Sequence, residues 1–144
     1  MPSNYETFFD HQTFAVIGHS AVRPFPQLTY RGLKRRGKTV FPIDPSAQEI
    51  DGDSTYPDLT GLPQAAEAAV LELPRDETAA WIEKVAAAGI RHVWLHVNTD
   101  TPEAFEAARR AELNVRSGTC AVQYVDGGFP HNMHKLIRRI LRRY

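Results

Sequence analysis

The run Phe14-Ala15-Val16-Ile17-Gly18 is short, apolar at every position and closed by glycine. A strand with apolar side chains on both sides needs cover on both faces, which is the condition of a strand inside a parallel sheet. Similar runs return at Thr39-Val40-Phe41-Pro42-Ile43, Ala68 to Leu73, Ile90 to Val97 and, more weakly, Val115 to Cys120. Segments of helical composition separate them. Gln27 to Arg36 carries Leu28, Tyr30 and Leu33 near helical spacing, and Gly37 stops it. Asp76 to Ala88 opens on acids where the helix dipole favours them and ends at Gly89. Thr101 suits an N-cap and Pro102 a first helical position, with a helix running to Glu112. Asn132 to Arg143 reads as a last helix.

Strands alternating with helices predict a single α/β domain, a Rossmann-like doubly wound parallel sheet of about five strands. Residues 1–130 make the domain, and residues 131–144 form a C-terminal basic amphipathic helix packed on it. Pro42 places the second strand near an edge or a strand end. The length of 144 residues suits one such core. No stretch approaches the roughly 18 apolar residues of a membrane span. No signal-peptide pattern opens the chain, and the single cysteine, Cys120, excludes an internal disulfide. A cytoplasmic protein is the expectation. Lys+Arg 17 against Asp+Glu 17 leaves no net charge, so nucleic acid is not expected as the main partner. The balance is uneven, at +4 over residues 1–38, −9 over 39–130 and +5 over 131–144. Arg31 to Lys38 are expected to face water.

Ligands of doubly wound sheets lie beyond the carboxyl ends of the strands. That points to Gly18 to Arg23, Asp44 to Ser46, Leu73 to Arg75, Val97 to Asp100 and Gly118 to Ala121. The first of these loops suits an anion. Gly18 gives a backbone that can turn and be approached, a helix N-terminus follows, and Ser20 and Arg23 add donors. The loop is neither a full G-x-G-x-x-G nor a Walker loop. Asp44 ends the second strand, where an acid either accepts from ribose hydroxyls or opens an Asp-Pro turn; both readings stay open. His19 reads as a polar contact, His96 as a satisfied core histidine and Cys120 as a small buried hydrophobe. His131 and His134 have helical metal spacing without an acidic or thiol neighbour, so no metal is expected.

From Phe14 to Val125 the ordered motifs resemble those of the small single-domain CoA-binding proteins, which are similar to the N-terminal domain of the succinyl-CoA synthetase α subunit. The carriers are Ala15 to Ser20, Gly37 to Pro45, Ile50-Asp51-Gly52 with Tyr56 to Leu59, Gly89 to Leu95, and Asn114 to Cys120. The resemblance implies a coenzyme A-type nucleotide across the strand ends. Gly18, His19, Ser20 and Arg23 would meet its phosphates. Pro42, Asp44 and Pro45 would lie near the adenosine, Leu73 and Pro74 beside the adenine, and Val97, Asn98 and Cys120 toward the pantetheine. Asp44-Pro45-Ser46 departs from the family's Asn-Pro-cation. A carboxylate about 5 Å from a 3′-phosphate costs roughly 3 kcal/mol at an effective dielectric near 20, which favours a free ribose.

The expected function is binding of coenzyme A or an acyl-CoA without catalysis, as a sensor or carrier, with a homodimer possible in form. The alternatives are a small NAD- or CoA-dependent enzyme using His19 or Cys120, with NAD or another adenine nucleotide as ligand, and a nucleic-acid or membrane-surface module acting through residues 131–144.

Overall fold

The computed structural model describes residues 7–119. Cys120 and the helix expected over residues 132–143 lie outside the described residues. The elements are β1 (Thr13–Gly18), α1 (Phe25–Arg35), β2 (Thr39–Ile43), β3 (Glu49–Ile50), β4 (Asp53–Ser54), β5 (Ala68–Glu72), α2 (Arg75–Ala87), β6 (His92–His96), α3 (Pro102–Arg110) and β7 (Asn114–Thr119). The main sheet runs β2-β1-β5-β6-β7 with every pair parallel. This is the expected Rossmann-like α/β domain, and the five expected strands are its five members.

Alternation along the strands explains why helices cover both faces. Ala15, Ile17, Leu71, Val93 and Leu95 meet Trp81, Ile82 and Val85 of α2 and Ala104 and Ala108 of α3. Their neighbours Phe14, Val16, Val70 and Trp94 point the other way, against Leu33 of α1 and the pair Phe8 and Phe9. The rings of Phe8 and Phe9 lie 5.4 and 5.0 Å from that of Trp94, so the segment before β1 seals the second face.

β2 is an edge strand, which is why it accepts a proline. The Pro42 carbonyl faces away from β1 and accepts from the Tyr56 N–H at 2.8 Å, and the Asp44 N–H donates to the Tyr56 carbonyl at 3.0 Å. The nitrogen of Pro42 therefore faces the outer edge, where no ladder bond is lost.

The antiparallel β3–β4 hairpin is an element the strand patterns do not predict. It turns on Asp51 and Gly52, both at positive φ, 53° and 83°. Asp-Gly favours such a tight turn. The hairpin is tied to α1. Arg31 pairs with Asp51 at 3.1 Å and Lys34 with Asp53 at 2.5 Å. These two cations stay at the surface, as expected, and pair there with carboxylates of the hairpin.

Thr101 caps α3 as expected, with its hydroxyl accepting from the Ala104 N–H at 3.0 Å. Thr101→Ala is expected to lower stability by about 1 kcal/mol in urea unfolding. An unchanged midpoint would show that the cap carries no load.

Candidate functional site

The sheet order reverses between β1 and β5, where Gly18 pairs with Glu72. Such a switch point opens a crevice beyond the strand ends. A cavity of about 630 Å³ lies there. Arg23, Leu73, Pro74, Val97 and Asn98, all expected at the ligand, line it together. Phe25, Glu72, Arg75 and His96 line it as well. Asn98 turns the chain after β6 at a φ of 67°, a conformation asparagine tolerates better than most residues. Asp44 and Pro45 belong to a second cavity of about 460 Å³ beside the β3–β4 hairpin. Pro42 lies buried beneath that end of the sheet.

Gly18 is needed for a reason other than anion approach. A Cβ built on it would sit 2.5 Å from Cγ of Pro26 and 2.7 Å from the Glu72 carbonyl oxygen. Its missing side chain lets the start of α1 pack against the strand ends, a known use of glycine in dinucleotide folds.

Ser20 was expected to offer its hydroxyl to phosphate, but both its hydroxyl and its backbone N–H turn to Asp44. The N–H donates to Oδ2 of Asp44 at 2.9 Å. Oδ1 of Asp44 accepts from the Ser46 N–H at 2.9 Å and the Ser46 hydroxyl at 2.6 Å. The Ala21 N–H donates to the Ser46 hydroxyl oxygen at 3.2 Å. Asp44 is 2% exposed and surrounded by donors of its own chain. Burial opposes its charge, but the hydrogen bonds from Ser20 and Ser46 outweigh that and hold its carboxyl below the ordinary value. Of the two open readings of Asp44, the turn is the one built: its carboxylate joins the β1–α1 loop to the β2–β3 loop.

His19 is likewise engaged within the fold. Its Nε2 lies 3.0 Å from both carboxylate oxygens of Glu77 in the first turn of α2. Among the described residues, the cations that line the main cavity are Arg23 and Arg75. Arg75 stands in the Leu73 to Arg75 stretch but was not singled out from sequence.

Two further residues were not foreseen at the site. Glu72 ends β5 and His96 ends β6, and their side chains are 1% and 4% exposed. Nδ1 of His96 lies 3.2 Å from Oε2 of Glu72. The contact is not aligned as a hydrogen bond, and neither side chain has an aligned hydrogen-bond partner among the described residues. Burial raises the Glu72 carboxyl to about 8, against a weaker opposing effect of Thr29. Burial, then the nearby Arg23 charge, lowers the His96 imidazole to about 4. Either a second proton or none would leave a bare buried charge, so at neutral pH the two groups hold one titratable proton between them, on the Glu72 carboxyl. His96 is buried, as expected of a core histidine, but among the described residues its ring nitrogens have no hydrogen-bond partner. The available signal was an acid at the end of the otherwise apolar run Ala68 to Leu73.

A family model described as CoA binding domain matches residues 12–125. No curated protein matches the chain in sequence. Among solved structures, a hypothetical protein from Pyrococcus horikoshii OT3 is 24% identical with a TM-score of 0.74, covering 83% of this chain and 84% of that one. A Thermus thermophilus protein is 24% identical with a TM-score of 0.69, covering 79% and 88%. An acetyl-coenzyme A synthetase of Ca. Korarchaeum cryptofilum in its apo form is 25% identical with a TM-score of 0.62, covering 78% of this chain but only 27% of the synthetase. The first two likenesses speak for the fold, and the family match covers most of the chain with the cavity inside it. The chain belongs to the CoA binding domain family.

Proposed function

We propose that this chain binds coenzyme A or an acyl-CoA across the switch point and does so without turnover, as a carrier or sensor of the ligand. The observation that carries the reading is the 630 Å³ cavity between the exits of β1 and β5 in a chain of the CoA binding domain family. The residues present fit such a ligand. Arg23 and Arg75 supply cations for a diphosphate, and Phe25, Leu73 and Val97 supply apolar wall for an uncharged arm. The hydrogen-bonding potential left at Glu72 and His96 suits a ligand that brings polar groups along with apolar ones. When bound, coenzyme A supplies a thiol that carries acyl groups as thioesters.

Binding without turnover is supported by how the candidate groups are engaged. His19 is held by Glu77, and Asp44 by Ser20 and Ser46. The same engagement of Asp44 argues against the NAD alternative, in which that acid takes a ribose diol. It also softens the repulsion expected for a 3′-phosphate, because the carboxylate charge is already met by donors.

A thermal-shift panel of coenzyme A, dephospho-coenzyme A, NAD and ADP tests the reading. At about 100 times its Kd, coenzyme A is expected to stabilise the fold by about 2.7 kcal/mol, and NAD to do less. No upward shift with coenzyme A or dephospho-coenzyme A overturns it. Turnover of an acyl-CoA that follows the intact site would overturn the carrier or sensor role.

A further inference from the structure

We propose that Glu72 and His96 form a seat for a neutral amide, which exchanges hydrogen bonds with the pair at the inner wall of the main cavity. The inference deepens the coenzyme A reading and rests on it for the source of the amide, the pantetheine arm.

Both residues line the cavity, and the side chains of both are more than nine-tenths buried. Oε1 and Oε2 of Glu72 and Nδ1 and Nε2 of His96 all lack a hydrogen-bond partner among the described residues. Buried polar atoms are rarely left so, and those that are call for an explanation. The pair does not explain itself, since its 3.2 Å contact is not aligned as a hydrogen bond. Thr29, fully buried on α1, stands beside Glu72 and favours its charged form only weakly against burial. The hydrogen-bonding capacity of this cluster is therefore not spent among the described residues.

The chemistry of the cluster narrows the occupant. A carboxyl and an imidazole that share one proton offer donors and acceptors side by side. A carboxylate or phosphate would lose its water against a pair that carries no net charge and so offers it no compensation. A cation would lie near Arg23, whose charge already acts on His96. An uncharged group with one donor and one acceptor meets neither objection, and an amide is that group. The walls agree. The Phe25 ring lies 4.5 Å from the His96 ring, and Leu73 and Val97 add apolar surface for the methylenes that flank an amide.

Two nucleotides bring an amide: coenzyme A in its arm and NAD in its carboxamide. Calorimetric titration of wild type and a Glu72→Leu/His96→Leu double variant with coenzyme A, NAD and ADP separates them. Apolar replacement of a whole buried pair is often tolerated, so the double variant is the suitable one. Coenzyme A affinity is expected to fall about ten- to a hundredfold, with ADP unchanged. Equal coenzyme A affinity in the two proteins overturns the seat. A loss confined to NAD overturns the pantetheine source. A second measurement needs only the wild type and holds if the variant fails to fold. The imidazole resonances of His96 are followed during titration with pantetheine alone. A saturable shift supports the seat, even if no nucleotide binds and the coenzyme A reading falls. No shift at millimolar pantetheine overturns the seat, even if coenzyme A binds.

Discussion

Gly18→Ala is expected to destabilise the fold by about 3 kcal/mol, near the upper end for an overpacked interior. The reason is the quality of the obstacles. The new methyl would lie 2.5 Å from a ring carbon of Pro26 and 2.7 Å from the Glu72 carbonyl oxygen. Neither obstacle is the loose end of a side chain. Pro26 is fixed in the first turn of α1, and the Glu72 oxygen belongs to the backbone of β5. Relief requires α1 to move off the sheet, and that helix buries Thr29, Tyr30 and Leu33. Phe25 and Arg23 stand at the same end, so ligand affinity is expected to drop with stability. Urea unfolding measures the first effect and calorimetry the second. A variant with the wild-type midpoint would show that the helix start yields freely.

Asp44→Ala is expected to cost about 2 kcal/mol at neutral pH, because the part-buried hydrogen bonds from Ser20 and Ser46 lose a charged acceptor. The pH dependence follows from the lowered folded-state value of this carboxyl. A carboxylate with a depressed value contributes stability that is fully present above its unfolded value near 3.9 and lost as pH falls through its folded value. The gap between wild type and variant should therefore be constant from pH 5 to 7 and narrow below about pH 4. Urea midpoints across that range provide the check. A gap that persists unchanged into strong acid would mean that the charge of Asp44 is not what joins the two loops.

The strand and helix frame was legible because it rests on local patterns. Thr39–Ile43 and the start of α3 at Pro102 fall where the sequence puts them. The edge position of β2 followed from one proline. The β3–β4 hairpin escaped because two-residue strands leave no periodic trace, although Asp51-Gly52 names its turn. The site was legible as a place rather than as a set of roles. Arg23, Leu73, Pro74, Val97 and Asn98 do converge on one cavity. Which donors are free is a matter of partners distant in the chain. Ser20 meets Asp44, His19 meets Glu77, and Gly18 faces Pro26 and Glu72. The Glu72 and His96 pair depends on β5 lying beside β6, and no local pattern displays that.

The strand order also divides the chain into two assembly units. The ladders β1–β2, β5–β6 and β6–β7 join residues such as Thr13 with Thr39, Ala68 with His92, and His92 with Asn114, at separations of 26, 24 and 22. The β1–β5 ladder joins Phe14 with Ala68, a separation of 54. Loop-closure entropy makes that ladder the hardest of the four to close from an open chain. The crevice is thus the seam between an N-terminal unit and a C-terminal unit. A ligand that spans it grips both, and selects molecules in which the two halves have already met.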